Sequence, residues 1–309
     1  MLYSKVSPAE KRRALRDMLT PGAARQFPGA FNPLSARLIE EKNFDGVYIS
    51  GAVLANDLGL PDIGLTTLPE VANRAGQIAR MTDLPALVDA DTGFGEPMNL
   101  ARTIQELEHA GLAGMHIEDQ ILPKRCGHLD GKTVVDTATM TQRIAAAADA
   151  RIDENFLIMA RTDIRGIDGL DAAVDRVKAM VDAGADAIFP EAMKDLTEFE
   201  TITNAVDVPV LANMTEFGKS ELFTRQQLAD VGVAMIIYPV TLLRSAMGAA
   251  ERVLDTIVAD GTQNASVDQM LTRARLYELV AYEDYNAFDS GIFNFEVPGL
   301  DVQANAENL

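Results

Sequence analysis

The residues best suited to chemistry are crowded into Lys124-Arg125-Cys126-Gly127-His128, which holds the sole cysteine and one of the 3 histidines. Two cations precede the thiol, a glycine lets backbone approach a ligand, and an imidazole follows. Metal binding, nucleophilic attack and proton transfer are all open to such a set. A free cysteine is most often a small buried hydrophobe, but charged neighbours argue against that here. We read Cys126 as a proton donor on a loop above a metal-bound carboxylate substrate, with Lys124 and His128 beside it. Upstream, His116-Ile117-Glu118-Asp119 reads as a strand end carrying further polar groups.

A second group is Asp89 and Asp91. Two residues apart, they point the same way if the strand persists. With Glu118 they offer hard oxygen ligands of the kind Mg²⁺ takes, one or two carboxylates with water and substrate oxygens completing the shell. The alternative is a pair of loop-capping aspartates. Zinc fits less well, because nothing completes a tetrahedral site with His116 and His128. Arg161, Arg244 and Arg273 are candidates for forked carboxylate binding, although pattern alone gives Arg273 no preference over an ion pair. Asn213 and Thr215 supply neutral hydrogen bonds, and Glu191 follows Phe189-Pro190 as a group that orients a water or ligand. His109, before Ala110-Gly111, reads as a helix-terminal residue complementing the helix dipole.

The elements that position these groups repeat one pattern, a short apolar run ending in polar or glycine residues and then an amphipathic helix. Strands are expected near Phe27–Phe31, Gly46–Ser50, Ala86–Asp89, Gly114–Glu118, Phe156–Arg161, Ala187–Pro190, Val208–Asn213 and Ala234–Tyr238. Their near-continuous apolar character suits a parallel sheet covered on both faces. Gly111, Gly184 and Gly232 stand where helices end before a strand. Ser7 caps a first helix with Pro8 inside it. The spacing predicts a (β/α)₈ barrel with additional N- and C-terminal helices, a single barrel domain over 1–309 with a helical extension at about 264–295. An open doubly wound sheet is the alternative, but Gly51 is followed by alanine and no dinucleotide fingerprint appears. After Leu242–Ala259, a second helix is expected over Asn264–Tyr285, started by Ser266. The strand ends of such a barrel bring together Ser50, Asp89, Asp91, Glu118, Arg161, Asp163, Glu191 and Asn213, with Arg244 just beyond.

Composition narrows the partners. A net charge of -19 argues against a general affinity for nucleic acid or an anionic membrane. One cysteine excludes an intramolecular disulfide framework. No apolar run approaches the ~20 residues of a membrane span, and the charged N-terminus lacks a signal core. The expectation is a cytoplasmic enzyme acting on a small anionic substrate.

Lys124-Arg125-Cys126-Gly127-His128, Val88-Asp89-Ala90-Asp91-Thr92-Gly93 and Tyr48-Ile49-Ser50-Gly51 together resemble the isocitrate lyase and phosphoenolpyruvate mutase superfamily, and within it the 2-methylisocitrate lyases. The resemblance spans roughly Ser7 to Phe295. Isocitrate lyases usually carry a second lysine where Arg125 stands, are much longer, and typically have tryptophan at Phe189; this chain has no tryptophan. The resemblance implies Mg²⁺-dependent cleavage of 2-methylisocitrate to pyruvate and succinate, with Mn²⁺ as a substitute metal. Isocitrate cleavage to glyoxylate and succinate, or a catalytically altered member, is the alternative. It further implies Asp89 and Asp91 as metal ligands, and Ser50, Gly51, Ala52, Cys126, Gly127, Arg161, Glu191, Asn213, Thr215, Arg244 and Arg273 as substrate contacts. Cys126 becomes the proton donor to carbon. The base is open among Tyr48, which leads, Glu118, Lys124 and metal-bound hydroxide. A homotetramer whose C-terminal helices exchange between neighbours is also implied.

Overall fold

The computed structural model describes residues 4–125, 127 and 131–293. Eight parallel strands follow in chain order: β1 (Arg25–Pro28), β2 (Val47–Ile49), β3 (Ala86–Asp89), β4 (Gly114–Glu118), β5 (Leu157–Thr162), β6 (Ala187–Pro190), β7 (Leu211–Asn213) and β8 (Met235–Tyr238). They form a five-stranded sheet, β2-β3-β4-β5-β6, and a three-stranded sheet, β1-β8-β7. Two isolated parallel bridges, Gly29 with Tyr48 and Ile188 with Val210, join the sheets at both seams and close a barrel.

Helices surround it: α1 (Pro8–Met18), α2 (Pro33–Glu41), α3 (Gly51–Asp57), α4 (Leu68–Ala79), α5 (Pro97–His109), α6 (Thr137–Ala150), α7 (Arg165–Asp168), α8 (Leu170–Asp182), α9 (Leu196–Thr203), α10 (Arg225–Asp230) and α11 (Thr241–Asp260). A 3₁₀ turn (Asn264–Gln269) and two further helices, α12 (Arg273–Leu279) and α13 (Tyr282–Phe293), complete the described chain. Ser7 caps α1 as its sequence suggests, its hydroxyl accepting from the Glu10 N–H while Glu10 answers to the Ser7 N–H.

The period-two alternation of strand side chains separates two cores. Outward residues such as Val88, Ile117, Ile158 and Ile236 pack beneath the helices. Inward residues, among them Phe27, Leu87, Leu157, Met159, Phe189, Leu211, Met235 and Ile237, fill the barrel with Leu15 and Leu19 from the α1 region. The same phase carries the site. One inward step beyond Leu87 is Asp89, beyond Met159 is Arg161, and beyond Leu211 is Asn213. The interior thus passes from apolar to polar toward the C-terminal ends of the strands. Register sets polar residues side by side, Asp89 opposite His116 and Glu118 opposite Arg161.

Two expectations need correction. The first strand runs Arg25–Pro28, not Phe27–Phe31, because pairing with β8 begins at Arg25 and Asn32 turns the chain to cap α2. The helix expected over Asn264–Tyr285 is three pieces. Thr272 starts α12 by accepting from the Arg275 N–H, and Ala281, at φ 55°, separates α12 from α13. Ser266 does not cap a helix; its hydroxyl donates to Thr256 Oγ1.

Candidate active site

A cavity of about 370 Å³ opens at the C-terminal ends of the strands. Most expected residues meet there: Tyr48, Ser50, Ala52, Asp89, Lys124, Gly127, Arg161, Glu191, Asn213, Thr215 and Arg244 all line it. Cys126 and His128 lie outside the described residues. Arg273, the first residue of α12, is exposed and lies outside this lining.

Asp89 and Asp91 converge, but not by strand periodicity. β3 ends at Asp89, and Asp91 sits at φ 48° in the following turn. Gly51 marks where they meet: a Cβ there would lie 2.9 Å from Asp89 Oδ2 and 3.1 Å from Asp91 Oδ1. Backbone N–H groups hold Asp89, Gly51 N donating to Oδ2 (3.1 Å) and Asp91 N to Oδ1 (3.0 Å). Ser50 is the N-cap of α3 but makes no side-chain capping bond, which leaves its hydroxyl to the cavity.

Lys124 is buried and bridges Asp62 Oδ1 at 2.5 Å and Asp91 Oδ1 at 2.6 Å. Its ammonium opposes its own desolvation only because Glu118, Asp91, Asp89 and Asp62 surround it, and together they hold its pKa well above the ordinary value. Burial raises Asp91 to about 6 against the attraction of Lys124. Burial also works against Asp89, yet His116, Lys124, Arg161 and the Asp91 N–H bring it down to about 2. Because burial keeps His116 itself down at about 4, Lys124 and Arg161 are the cations that matter at neutral pH.

Arg161, expected as a fork for a substrate carboxylate, lines the cavity and also holds protein carboxylates. Its guanidinium is buried among three carboxylates, Asp163 (3.1 Å), Glu118 (3.3 Å) and Glu191 (3.3 Å), and lies over the Phe189 ring. It balances charge within the site as well as facing the cavity. Arg244 is partly exposed at the mouth, pairing with Glu216 (2.8 Å) and reaching Thr215 Oγ1 (3.2 Å). Tyr48 Oη lies 2.7 Å from His116 Nε2, and His116 Nδ1 is buried without a hydrogen-bond partner. Burial and the nearby Asp89 raise the Tyr48 phenol well above its ordinary pKa, so it keeps its proton. Burial likewise raises Glu118 well above the carboxylate range.

The residues present fit a hard divalent cation. Asp91 Oδ1 and both Glu118 carboxylate oxygens are buried without a hydrogen-bond partner, although cations lie near them. Among the described residues no three acidic, His or Cys side chains form a ready-made cage. An open set of two or three carboxylates, finished by water and ligand oxygens, is how Mg²⁺ is ordinarily held.

Sequence reading missed Asp62, the partner of Lys124. It lies in the loop after α3, away from any strand end, within an ordinary turn sequence, Leu60-Pro61-Asp62. It also missed the apolar side of the cavity, Pro239, Val240, Leu243 and Met247, because apolar residues at the start of α11 carry no chemical signature.

His116 gives a pH signature. Its folded pKa of about 4 lies below the 6.5 of an ordinary histidine, so the unfolded chain takes up the proton first as pH falls. The stability it contributes is complete above about pH 6.5 and is lost as pH falls from there through about 4, roughly 3 kcal/mol in all. Metal-free His116→Gln should therefore show that much less pH dependence of unfolding free energy than wild type over this window. Urea titrations at several pH values measure the difference, and parallel profiles would refute the assignment.

The family model described as phosphoenolpyruvate phosphomutase matches residues 15–258. The chain is 60% identical to "Probable 2-methylisocitrate lyase 2" of Corynebacterium glutamicum, covering 96% of each chain. It is 45% identical to "2-methylisocitrate lyase" of Aeropyrum pernix, over 90% of each. Among solved structures, oxaloacetate acetylhydrolase in complex with 3,3-difluorooxalacetate superposes with a TM-score of 0.87 at 32% identity, over 94% of this chain and 100% of that one. Phosphonopyruvate hydrolase in complex with oxalate and Mg²⁺ gives 0.81 at 28% identity, over 91% and 98%. With the family model matching most of the barrel and these relatives aligning over nearly their whole length, the chain belongs to the phosphoenolpyruvate phosphomutase family.

Proposed function

We propose that this chain is a carbon–carbon lyase that cleaves 2-methylisocitrate to pyruvate and succinate. The observation that carries the reading is that Gly127, the neighbour of the sole cysteine, lines the same cavity as Asp89 and Lys124. The near full-length identity to relatives of that name supports it.

Asp89 and Asp91, with Glu118 behind them, would hold a divalent cation, Mg²⁺ or in its place Mn²⁺. When bound, it supplies Lewis-acid polarisation of the substrate's hydroxyl and carboxylate oxygens. Ser50, Gly51 and Ala52 present a hydroxyl and backbone at the start of α3 to a substrate carboxylate. Asn213, Thr215 and Arg244 face the same cavity from the other side. Arg161 and Glu191 position one another across the floor. Tyr48 is the leading base and takes the hydroxyl proton as phenolate, a form that His116 Nε2–H, 2.7 Å away, and the nearby Arg161 favour against burial and Asp89. The C2–C3 bond breaks, pyruvate departs, and the electron pair stays on the succinate half, stabilised by the cations and hydrogen-bond donors around it. Cys126 delivers a proton to that carbon. Lys124, and His128 two positions further along the chain, would favour the thiolate left behind.

The apolar side of the cavity, at Ile237, Pro239 and Val240, gives the substrate methyl a place away from the charges. One methyl is worth only about 1–3 kcal/mol in a pocket, so isocitrate is a poorer substrate rather than an excluded one. Arg273 lies outside the cavity of its own chain, so we propose it as a substrate contact only where a second chain supplies it. Exposed Leu254, Ile257 and Val258 on α11 are consistent with assembly, proposed as a homotetramer. No helix of the described residues is long and apolar enough to cross a membrane, and a cytoplasmic location is proposed.

Incubation with 2-methylisocitrate and Mg²⁺ should yield pyruvate and succinate in equal amounts, with kcat/KM exceeding that for isocitrate. Absence of either product would overturn the reading.

A further inference from the structure

The loop between β4 and α6 leaves the barrel at Gln120 and returns at Val134, where the two residues form an antiparallel bridge. Ile121 N donates to Thr133 O (3.0 Å) and Val135 N to Asp119 O (2.8 Å), so the stem is closed by main chain. Beyond the stem, two side chains hold the backbone on either side of position 126. Gln120 Nε2 donates to Arg125 O (2.8 Å), and its Oε1 accepts from Arg125 N (2.9 Å). The Lys132 ammonium donates to Gly127 O and pairs with Asp163 Oδ1 at 2.7 Å.

Asp163 is itself fixed. Its N–H donates to Asp119 Oδ1 (3.0 Å) and its carboxylate accepts from Arg161 Nε (3.1 Å). The Gly127 carbonyl is therefore tied through Lys132 and Asp163 to the top of β5 and to Arg161. Gly127 also lies hard against that guanidinium, since a Cβ there would stand 2.5 Å from Arg161 Nη2 and 2.5 Å from Glu191 Cγ. The Lys132 and Asp163 side chains are 4% and 0% exposed. Buried charges so placed are stable only while paired, which makes the linkage a defined geometry rather than a surface contact.

We propose that Gln120 and Lys132 are positioning residues. Gln120 fixes Arg125 and Lys132 fixes Gly127, and Lys132 couples this loop to the Arg161–Asp163 pair. The consequence for turnover rests on the lyase reading above; the two tethers themselves do not.

The test uses Lys132→Met, Lys132→Arg and Gln120→Leu in the full chain, with two readouts. For 2-methylisocitrate with Mg²⁺, kcat should fall roughly 30-fold or more in Lys132→Met and about 10-fold in Gln120→Leu, with KM changing less than about threefold, since misplacement by an ångström carries penalties of this order. Lys132→Arg keeps the charge and a donor and should recover most of kcat. The second readout is alkylation of Cys126 by iodoacetamide without substrate, unambiguous because the chain has 1 cysteine. Its rate should rise at least about fivefold in both Lys132→Met and Gln120→Leu, as a released backbone samples more geometries. Gln120→Leu changes no charge, so acceleration in both variants reads backbone release rather than electrostatics. If both kcat and labelling stay within about twofold of wild type, the proposal is overturned. If labelling accelerates while even wild type fails to cleave 2-methylisocitrate, the tethers stand and the lyase reading falls. Should Lys132→Met fail to fold, Gln120→Leu and Lys132→Arg decide by the same measurements.

Discussion

Cys126→Ser is expected to lose turnover of 2-methylisocitrate by about 10³-fold or more while retaining Mg²⁺-dependent binding of the intact substrate. A positioned general acid contributes roughly 10²–10⁴-fold, and a serine hydroxyl gives up its proton far less readily than a thiol. Nothing in the carboxylate cluster changes, because Asp89 takes its hydrogen bonds from Gly51 and Asp91 and Lys124 takes its ion pairs from Asp62 and Asp91. The expected pattern is thus a kcat effect with little change in binding. Single-turnover kinetics alongside calorimetric titration of the unreacted substrate separate the two. Near-normal turnover would remove Cys126 from the mechanism, and lost binding would recast it as a structural residue.

Asp89 allows a sharper dissection, because its carboxylate has two tasks. It accepts two backbone N–H groups that set the turns after β2 and β3, and it would be a ligand of the divalent metal. Asp89→Asn removes the charge and keeps an oxygen acceptor for one of the two N–H groups, whereas alanine keeps neither. The asparagine variant should fold, and turnover should fall by about 10³-fold, consistent with losing several kcal/mol of Lewis-acid stabilisation, with the metal concentration for half-activation raised well above wild type. Asp89→Ala should show the same kinetic loss and a further destabilisation of about 1–3 kcal/mol, because buried donors are left unmet. Thermal unfolding with and without Mg²⁺ resolves the two effects. Equal stability of the two variants would show that the backbone contacts matter little, and wild-type metal dependence in Asp89→Asn would refute metal binding there.

The strands were most legible where pattern and hydrogen bonding coincide. Ala86–Asp89, Gly114–Glu118 and Ala187–Pro190 match their expected limits because each is an apolar run bounded by a sharp change of residue type. β1 was displaced because Phe31 is apolar yet belongs to the turn that Asn32 closes, and a hydrophobic run carries no information about where its neighbour's ladder begins. The C-terminal helices were merged because their breaks lie at Met270–Leu271 and Val280–Ala281, residues that ordinarily continue a helix. In the site, strand-end residues could be found by position alone. Asp62, Gln120 and Lys132 could not, because each acts through a partner distant in sequence or through loop backbone. Lys132 follows directly on Gly131 in the same loop as the cysteine, so its neighbourhood was visible but its direction was not. Arg161 was recognised, yet its commitment to Asp163, Glu118 and Glu191 depends on register that no single strand reveals.

The two seams of the barrel carry a consequence for how such a catalyst diversifies. Each seam is a single bridge, Gly29 with Tyr48 on one side and Ile188 with Val210 on the other. The five-stranded sheet bears Asp89, Glu118, Arg161 and Glu191, whereas the three-stranded sheet and its α11 supply Asn213, Ile237, Pro239, Val240 and Leu243. Bond-breaking machinery and the wall that judges the substrate's shape are thus separate modules sewn together by a few main-chain stitches. Replacements at Ile237, Pro239, Val240 and Leu243 alter what is admitted while touching the opposite charges least, whereas Asn213, whose Nδ2 donates to Glu191 (3.4 Å), links the two halves. A lineage, or a protein engineer, can explore new substrates there while the reactive half is inherited intact.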